Sequence, residues 1–125
     1  MLKTYVIAGA GGALGVMFRV FLAKFFPAHW QQFPAYILLV NVLGCFLLGL
    51  IHQYFTFHSH LPLLWRYFLV TGFLGGLTTF SACVLEMCYL FEKNQWILGG
   101  LYGAGSIISC FIAFMLGVFM IRIFI

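Results

Sequence analysis

The chain has 125 residues, of which 65% are apolar and only 6% are charged. Soluble domains carry about 25% charged residues, because a small protein needs a largely polar surface. The composition therefore excludes a soluble domain, and an aromatic content of 20% excludes a disordered chain. We predict a single domain over residues 1–125 whose surroundings are mostly lipid.

The charged residues and the cysteines exclude further classes of protein. The net charge is +4, but no Lys/Arg cluster exists, so nucleic acid is not an expected partner. The four cysteines lie in apolar stretches without a C-x-x-C pair, which favours buried free thiols over a zinc site or a disulfide framework. Lys3 precedes an apolar run, but no small-x-small cleavage site follows. We therefore predict a retained first span rather than a signal peptide.

Apolar segments of spanning length occur four times along the chain. A spanning helix needs about 20 mostly apolar residues. The predicted spans are, approximately, residues 4–25, 36–55, 63–91 and 96–122. Polar, proline-containing stretches at residues 27–34 and 56–62 are predicted loops. No ten-residue apolar/polar alternation is present, which excludes a β-barrel. The predicted fold class is an all-α integral membrane protein with four transmembrane helices.

The third predicted span is too long for a straight crossing. Residues 63–91 would form a helix of about 43 Å, against a hydrocarbon core of about 30 Å. Its middle, residues 72–81, contains three glycines and two threonines, which are poor helix formers. We predict a break near residues 72–79, whose freed backbone groups must be buried in protein, line a cavity or bind an ion. The alternative is an intact helix whose glycines serve packing.

The positive charges leave the orientation of the chain in the membrane open. With four spans, each side of the membrane receives three of the six basic residues. One side carries Lys3, Arg66 and Arg122, and the other carries Arg19, Lys24 and Lys93. The positive-inside rule then favours neither orientation. Either the protein inserts both ways and forms an antiparallel dimer, or so few charges balance by chance.

A stripe of small residues in the first span leads to a basic side chain. Spacings of three and four place its members on one helical face, and these are Ala8, Gly11, Gly12, Gly15 and Arg19. The Gly-x-x-x-Gly spacing predicts close approach of another helix. Arg19 either steers anions or anchors the helix end.

Polar residues in the second and fourth spans are candidates for an ion pathway. Asn41 either makes an interhelical hydrogen bond or directs its amide donor at a permeating anion. On the fourth span Tyr102, Ser106 and Ser109 share one face with Cys110. Their hydroxyls either line a polar pathway or bond to carbonyls of their own helix.

The histidines and the acidic residues carry no evident catalytic chemistry. His52, His58 and His60 lie at one predicted membrane edge and His29 lies in another loop, so interfacial anchoring is favoured over a metal site. The chain contains no aspartate, and no base is paired with a nucleophile. An enzyme is not expected.

Three sequence motifs together resemble the Fluc (CrcB) family of fluoride channels, and the resemblance covers essentially the whole chain. The motifs are Gly11-Gly12-x-x-Gly15-x-x-x-Arg19, Asn41-Val42-Leu43-Gly44-Cys45-Phe46, and Gly72-Phe73-Leu74-Gly75-Gly76-Leu77-Thr78-Thr79-Phe80-Ser81 followed by Glu86. The third motif is the most specific.

The resemblance implies an antiparallel homodimer with two pores that passively export fluoride across the inner membrane of a bacterium. It implies a Na⁺ ion at the dimer centre, held by the backbone carbonyls of Gly75 and Thr78 from both copies. Glu86 would lie in a vestibule. The implied fluoride pathway consists of Asn41, Phe80, Ser81, Cys83, Tyr102, Ser106 and Cys110.

The sequence departs from the family pattern directly after the third motif. The family usually continues Thr-Phe-Ser, whereas this chain has Ala82-Cys83-Val84. Cys83 then replaces the second pore phenylalanine, which predicts slow conduction, a pore-degenerate partner in a heterodimer, or an introduced cysteine. A small multidrug cation/proton transporter is the other alternative. That class needs an acidic residue deep in the first span, and residues 4–18 contain none.

Overall fold

The computed structural model describes residues 1–26 and 35–125, and the regular secondary structure of these residues is helical. Four helices are long and apolar enough to cross a membrane: the first span Leu2–Ala23, the second span Ala35–Phe57, the third span Leu63–Glu92 and the fourth span Trp96–Phe124. This confirms the predicted fold class of four spanning helices. The predicted loop at residues 27–34, with His29, lies outside the described residues.

The third span consists of two helical halves joined by two extended residues. Its first half, residues 63–77, contains the π-helical segment Tyr67–Leu74, and its second half is Phe80–Glu92. Between them Thr78 has φ −89° and ψ 151°, and Thr79 has φ −151° and ψ 118°. The predicted break is confirmed, but it is narrower than residues 72–79. The three glycines stay helical, and only the β-branched threonines leave the helix.

The two threonines end one helix and begin the next. The backbone N–H of Thr78 donates to the carbonyl of Leu74 at 2.9 Å, and its hydroxyl donates to the same oxygen at 2.8 Å. The hydroxyl of Thr79 accepts from the backbone N–H of Ala82 at 3.3 Å, which is an N-cap. The break therefore creates two helix ends, and the threonine hydroxyls provide hydrogen-bond partners for some of the backbone groups there.

The first span packs against the first half of the third span through backbone contacts. A Cβ atom added at Gly72 would lie 2.6 Å from the carbonyl oxygen of Ala8 and 3.0 Å from Cα of Gly11. One at Gly15 would lie 2.9 Å from the backbone of Phe73 and Leu77. The small-residue stripe thus serves close helix approach, as predicted from its spacing. Gly72 and Gly76 of the third span lie against the first span in this way, whereas Gly75 is exposed and a Cβ added there would meet no atom of the first span.

The second and fourth spans run in the same direction and touch at a second glycine contact. A Cβ at Gly49 would lie 3.0 Å from the carbonyl carbon of Phe114, and one at Gly117 would lie 2.9 Å from the backbone nitrogen of Leu50. Nearer the start of both spans, Ile37 and Tyr102 share one buried cluster. This register places residues near 41–45 opposite residues near 106–110.

Two small buried clusters lie on either side of the break. One contains Val40, Leu74 and Leu77, the last fully buried. The other contains Ile37, Cys83, Leu90 and Tyr102. Outside these clusters the fourth span exposes large apolar side chains along its length, such as Ile107 and Phe111, as expected for a helix that faces lipid or another membrane-embedded chain.

Candidate functional site

The side chain of Asn41 pairs with the extended backbone at the break. Its Nδ2 donates to the carbonyl of Thr79 at 3.1 Å, and the Thr79 N–H donates to its Oδ1 at 2.8 Å. The interhelical hydrogen bond foreseen for Asn41 is therefore present. A primary amide carries two N–H donors, so these two bonds leave one donor of Asn41 for another acceptor.

At the break, two backbone N–H groups donate to side chains instead of to the carbonyls that they would meet in a continuous helix. In a continuous α-helix the N–H of residue i+4 bonds to the carbonyl of residue i. The amides of Thr79 and Ala82 would thus serve Gly75 and Thr78, but they donate instead to Asn41 Oδ1 and Thr79 Oγ1. These are the two carbonyls that the family resemblance implies for Na⁺. Carbonyl oxygens freed in this way suit a hard cation, so the donor set fits that ion.

A cavity of about 220 Å³ lies beside the break, between the second, third and fourth spans. It brings together five of the seven predicted pathway residues. The full lining is Asn41, Cys45, Thr78, Thr79, Phe80, Cys83, Ser106, Ile107 and Cys110. The cavity is partly open on one side, so an ion reaching it meets neutral polar groups and one aromatic ring.

Two buried hydroxyl groups near the cavity lack hydrogen-bond partners among the described residues. Ser106 lines the cavity, whereas Tyr102 does not. Each of these two residues is only 5% exposed. Burying a hydroxyl without a partner costs about 1–3 kcal/mol. Of the two, the hydroxyl of Ser106 is placed to meet an acceptor that enters the cavity.

Ser109 differs from Ser106 although both lie on the same helical face. Its hydroxyl donates to the carbonyl of Gly105 at 2.6 Å and lies 3.3 Å from the backbone carbonyl of Ser106. This is the local backbone bonding that serines in helices often make. On the predicted hydroxyl face, the hydroxyls of Tyr102 and Ser106 therefore lack a partner among the described residues, whereas that of Ser109 is hydrogen-bonded to its own helix.

Phe80 and Ser81 lie at the rim of the site. Phe80 is the first residue of the second half of the third span, lines the cavity and is 72% exposed. Ser81 is exposed, does not line the cavity, and its hydroxyl is 3.0 Å from that of Thr79. An exposed aromatic ring at an open cavity leaves a face for a further chain to cover.

Arg19 and Glu86 do not line the cavity. The carbonyl of Arg19 accepts a hydrogen bond from the hydroxyl of Tyr36, which links the first span to the second. Its Nε is buried without a partner in the described part of the chain. Glu86 is half-buried on the second half of the third span. Steering and anchoring both remain predictions for Arg19, as does the vestibule for Glu86.

The three histidines that the structure describes, His52, His58 and His60, lie at the far end of the second span. The ring of His58 stacks on Tyr54 with 4.3 Å between centroids, and its Nδ1 is 3.1 Å from the Tyr54 carbonyl. His60 lies 5.8 Å from His58, ring to ring. His52 lines a separate cavity of about 310 Å³ together with Arg66. Across residues 1–26 and 35–125, no three His, Cys, Asp or Glu side chains are grouped as metal ligands.

Sequence reasoning missed Cys45 as a residue of the site. It lines the cavity and follows Asn41 by four residues, which is one helical turn. Helical periodicity places it on the same helical face as Asn41, although it was not named among the pathway residues. The register between the second and fourth spans, which brings it to Cys110, has no comparable signal in the sequence.

Comparison with known proteins shows to which family this chain belongs. The family model described as "CrcB-like protein, Camphor Resistance (CrcB)" matches residues 6–118. The chain is 36% identical over 124 residues to the fluoride-specific ion channel FluC of Azotobacter vinelandii, covering 98% of this chain and 100% of that one. It is 38% identical over 105 residues to the FluC of Thermococcus gammatolerans, covering 84% and 85% of the two chains. The FluC 2 of Nitrobacter hamburgensis is 35% identical over 122 residues, with 94% and 96% covered. This chain therefore belongs to the CrcB family.

Proposed function

We propose that this chain is a subunit of a fluoride-selective channel, not an enzyme, that lets fluoride leave the cell passively through the inner membrane. The relatives are named as fluoride-specific ion channels. The observation that carries the proposal is the cavity beside the break, where Asn41 and the unpartnered hydroxyl of Ser106 face the same space.

Neutral donors are what a small anion needs in a membrane. Moving a bare ion into a low-dielectric interior costs on the order of tens of kcal/mol unless polar groups replace its water. The remaining N–H of Asn41 and the hydroxyl of Ser106 supply such groups. The ring of Phe80 adds C–H edges, which carry the positive end of the aromatic quadrupole. Among the described residues the lining of the cavity consists of neutral side chains, and conduction requires that an ion be bound weakly enough to leave.

A second copy in the opposite orientation would complete the site. The cavity is partly open, and Phe80 and Gly75 are exposed beside it. Equal numbers of basic residues on the two sides permit both orientations of the chain. We therefore include an antiparallel homodimer in the proposal, with two fluoride pathways.

The proposal extends to a structural Na⁺ ion at the dimer axis. The carbonyls of Gly75 and Thr78, freed from their helical donors, would supply two oxygens per copy. Oxygen ligands suit a hard cation. Its charge would lower the electrostatic cost of nearby anions.

Fluoride release from liposomes tests the function directly. Purified protein is reconstituted into liposomes loaded with potassium fluoride and potassium chloride, and valinomycin is added to carry the counter-ion. We expect a fluoride electrode to record release while chloride is retained. Release no faster than from protein-free liposomes, by protein that remains monodisperse, would refute the proposal. Proton-coupled cation uptake would favour a small multidrug transporter instead.

Two serines provide a matched test of the pathway. Ser106→Ala removes a free hydroxyl from the cavity, whereas Ser109→Ala removes one already bonded to its own helix. We expect Ser106→Ala to slow fluoride release about tenfold or more, and Ser109→Ala to leave it near the parent rate. Equal rates for the two variants would place the pathway elsewhere.

Removal of sodium tests the proposed ion at the axis. Purification and flux measurement in N-methyl-D-glucamine buffer, free of Na⁺ and K⁺, should lower the dimer fraction or stop fluoride release. Returning Na⁺ should restore both. Equal dimer fraction and equal flux with and without Na⁺ would contradict the site. Mutation is a weaker probe, because the ligands are backbone carbonyls.

Cys83 supports a second candidate function, that of a pore-degenerate partner subunit. It is 3% exposed and lines the cavity where the family pattern usually places phenylalanine. The discriminating variant is Cys83→Phe. If the parent homodimer does not conduct and Cys83→Phe does, the chain is a degenerate pore. If neither conducts while an active relative does in the same liposomes, the chain has a structural role.

A further inference from the structure

Three cysteines from three different spans line the single cavity beside the break. These are Cys45 of the second span, Cys83 of the third and Cys110 of the fourth. Cys45 and Cys110 lie on the two helices that pack against each other in the same direction, and Cys83 lies on the second half of the third span. The fourth cysteine, Cys88, is exposed and does not line the cavity.

The pairing of Cys45 with Cys110 follows from the glycine contact between their helices. Cys45 precedes Gly49 by one turn, and Cys110 precedes Phe114 by one turn. Gly49 and Phe114 meet backbone to backbone, and the two helices run in the same direction. Without a Cβ at residue 49 the two helices approach closely, and one turn earlier both cysteines line the same cavity.

Cys83 and Cys110 line the proposed fluoride pathway, but the hydrogen-bond donors proposed for fluoride there are Asn41 and Ser106 and not these thiols. A thiol is a weak hydrogen-bond donor, so it replaces a hydroxyl poorly beside an anion. Thiolates are instead strong ligands for soft metal ions. We propose that Cys45 and Cys110 form a site for a soft, thiophilic metal cation of the class of Hg²⁺, held between their two sulfur atoms, with Cys83 beside it.

Charge balance favours such an ion at this depth. Binding of one divalent ion forms two metal–sulfur bonds and breaks two S–H bonds, and the two protons leave to water. The resulting unit is neutral, which avoids burying a net charge in a low-dielectric cavity.

The number of available ligands selects among metals. Structural zinc sites need about four ligands, and although three cysteines line this cavity, no three metal-binding side chains within the described ranges are placed to hold one ion together. Hg²⁺ is satisfied by two thiolates in a linear arrangement, so this pair should hold it and reject Zn²⁺.

An ion at this site would also occupy the space beside Asn41 and Ser106. Passage through the cavity should then stop. This consequence rests on the proposed channel function, whereas the metal site itself does not.

Mercury titration of purified protein tests the site without any transport measurement. The Cys88→Ser variant removes the exposed thiol and serves as the reference, after a thiol assay has established that its three remaining cysteines are reduced. We expect one Hg²⁺ per chain, a thiolate-to-metal ultraviolet band, loss of two titratable thiols, and retention against millimolar monothiol. Zn²⁺ at the same concentration should give none of these changes.

Serine substitutions identify the pair. When Cys45→Ser is added to the reference, mercury should be lost to the monothiol at least tenfold faster, and the same is expected for Cys110→Ser. With both substitutions together the rate of loss should be no faster than with either one. Adding Cys83→Ser should have a smaller effect. Serine is nearly isosteric, and gel filtration checks that each variant folds. Retention unchanged by Cys45→Ser or Cys110→Ser, equal binding of Zn²⁺, or a pair already oxidised to a disulfide would overturn the proposal.

Flux measurements separate this proposal from the channel function. In the reference protein Hg²⁺ should stop fluoride release, a dithiol should restore it, and Cys45→Ser should make release insensitive to the metal. If mercury binds as expected but the reference never conducts, the channel function fails and the metal site stands. If fluoride flows but mercury is not retained, the reverse holds.

Discussion

The two halves of the third span are held in different ways. The first half meets the first span backbone to backbone, with Gly72 and Gly11 in direct contact. The second half meets the fourth span through side chains, since Gly103 faces the thioether of Met87 and Gly99 faces the ring of Phe91. A backbone cannot move aside locally, but the end of a side chain can rotate. The break therefore joins a fixed segment to an adjustable one.

This difference explains where the site lies. Asn41 of the second span forms hydrogen bonds with the extended residue Thr79, which lies between the two halves. The cavity borders the adjustable half, where Phe80 and Cys83 contribute to its wall. We expect substitutions on the fixed side to act on folding and those on the adjustable side to act mainly on the cavity.

The largest effect should come from adding a methyl group to the fixed side. In Gly15→Ala the new Cβ would lie 2.9 Å from the backbone of Phe73 and Leu77. We expect a loss of about 3 kcal/mol in the free energy of unfolding, at the upper end of overpacking effects, measured by thermal unfolding in detergent. Gly9→Ala, which meets no atom within 4 Å, is the control. Equal stability of the two variants would remove the distinction between the halves.

The next effect should come from the link between the halves. Asn41→Leu leaves the N–H and the carbonyl of Thr79 without their partners. Each unsatisfied buried group costs about 1–3 kcal/mol. We expect about 2 kcal/mol lower stability and at least a tenfold loss of fluoride flux. Cys45→Ala, one turn further along and without a bond to Thr79, should keep the stability within about 1 kcal/mol. If Asn41→Leu had the same stability and the same fluoride flux as the parent, the break would not depend on this residue.

A smaller effect should come from the cap of the second half. Thr79→Ala removes the hydroxyl that accepts from the Ala82 N–H. Loss of such an N-cap costs about 1 kcal/mol, which chemical unfolding should detect. Thr79→Ser retains the hydroxyl and should recover most of the loss. If both variants unfold like the parent, the cap does not stabilise the helix.

The smallest effect should come from a methyl group on the adjustable side. Gly103→Ala brings a Cβ within 2.6 Å of Cε of Met87, and the flexible thioether can rotate away. We expect less than about 1 kcal/mol lost in thermal unfolding. Gly105→Ala, with no atom within 4 Å, is its reference. A loss as large as that of Gly15→Ala would mean that both halves are equally fixed.

Much of the site followed from sequence, because a specific motif surrounds the break. The family resemblance named Asn41, Phe80 and Ser106 as pathway residues, and the structure brings these three to one cavity. Ser81 and Tyr102 were named with them but do not line it. Sequence position places a residue on a helical face, whereas lining a cavity depends on the neighbouring helix.

The sequence by itself determined that lipid surrounds the chain and that four helices cross it. Both follow from local properties, namely the length of each apolar run and the positions of the few charges. It also placed the break in the third span within the ten residues 72–81.

Only the tertiary structure decided which of those residues leave the helix. Gly72 remains helical because the backbone of the first span lies against it, while Thr79 is extended because Asn41 takes over its hydrogen bonds. The same holds for Ser106 and Ser109, which are equivalent by spacing yet differ in whether their hydroxyls are free. In each case the deciding contact is made by residues distant in sequence, which helical propensity and periodicity do not register.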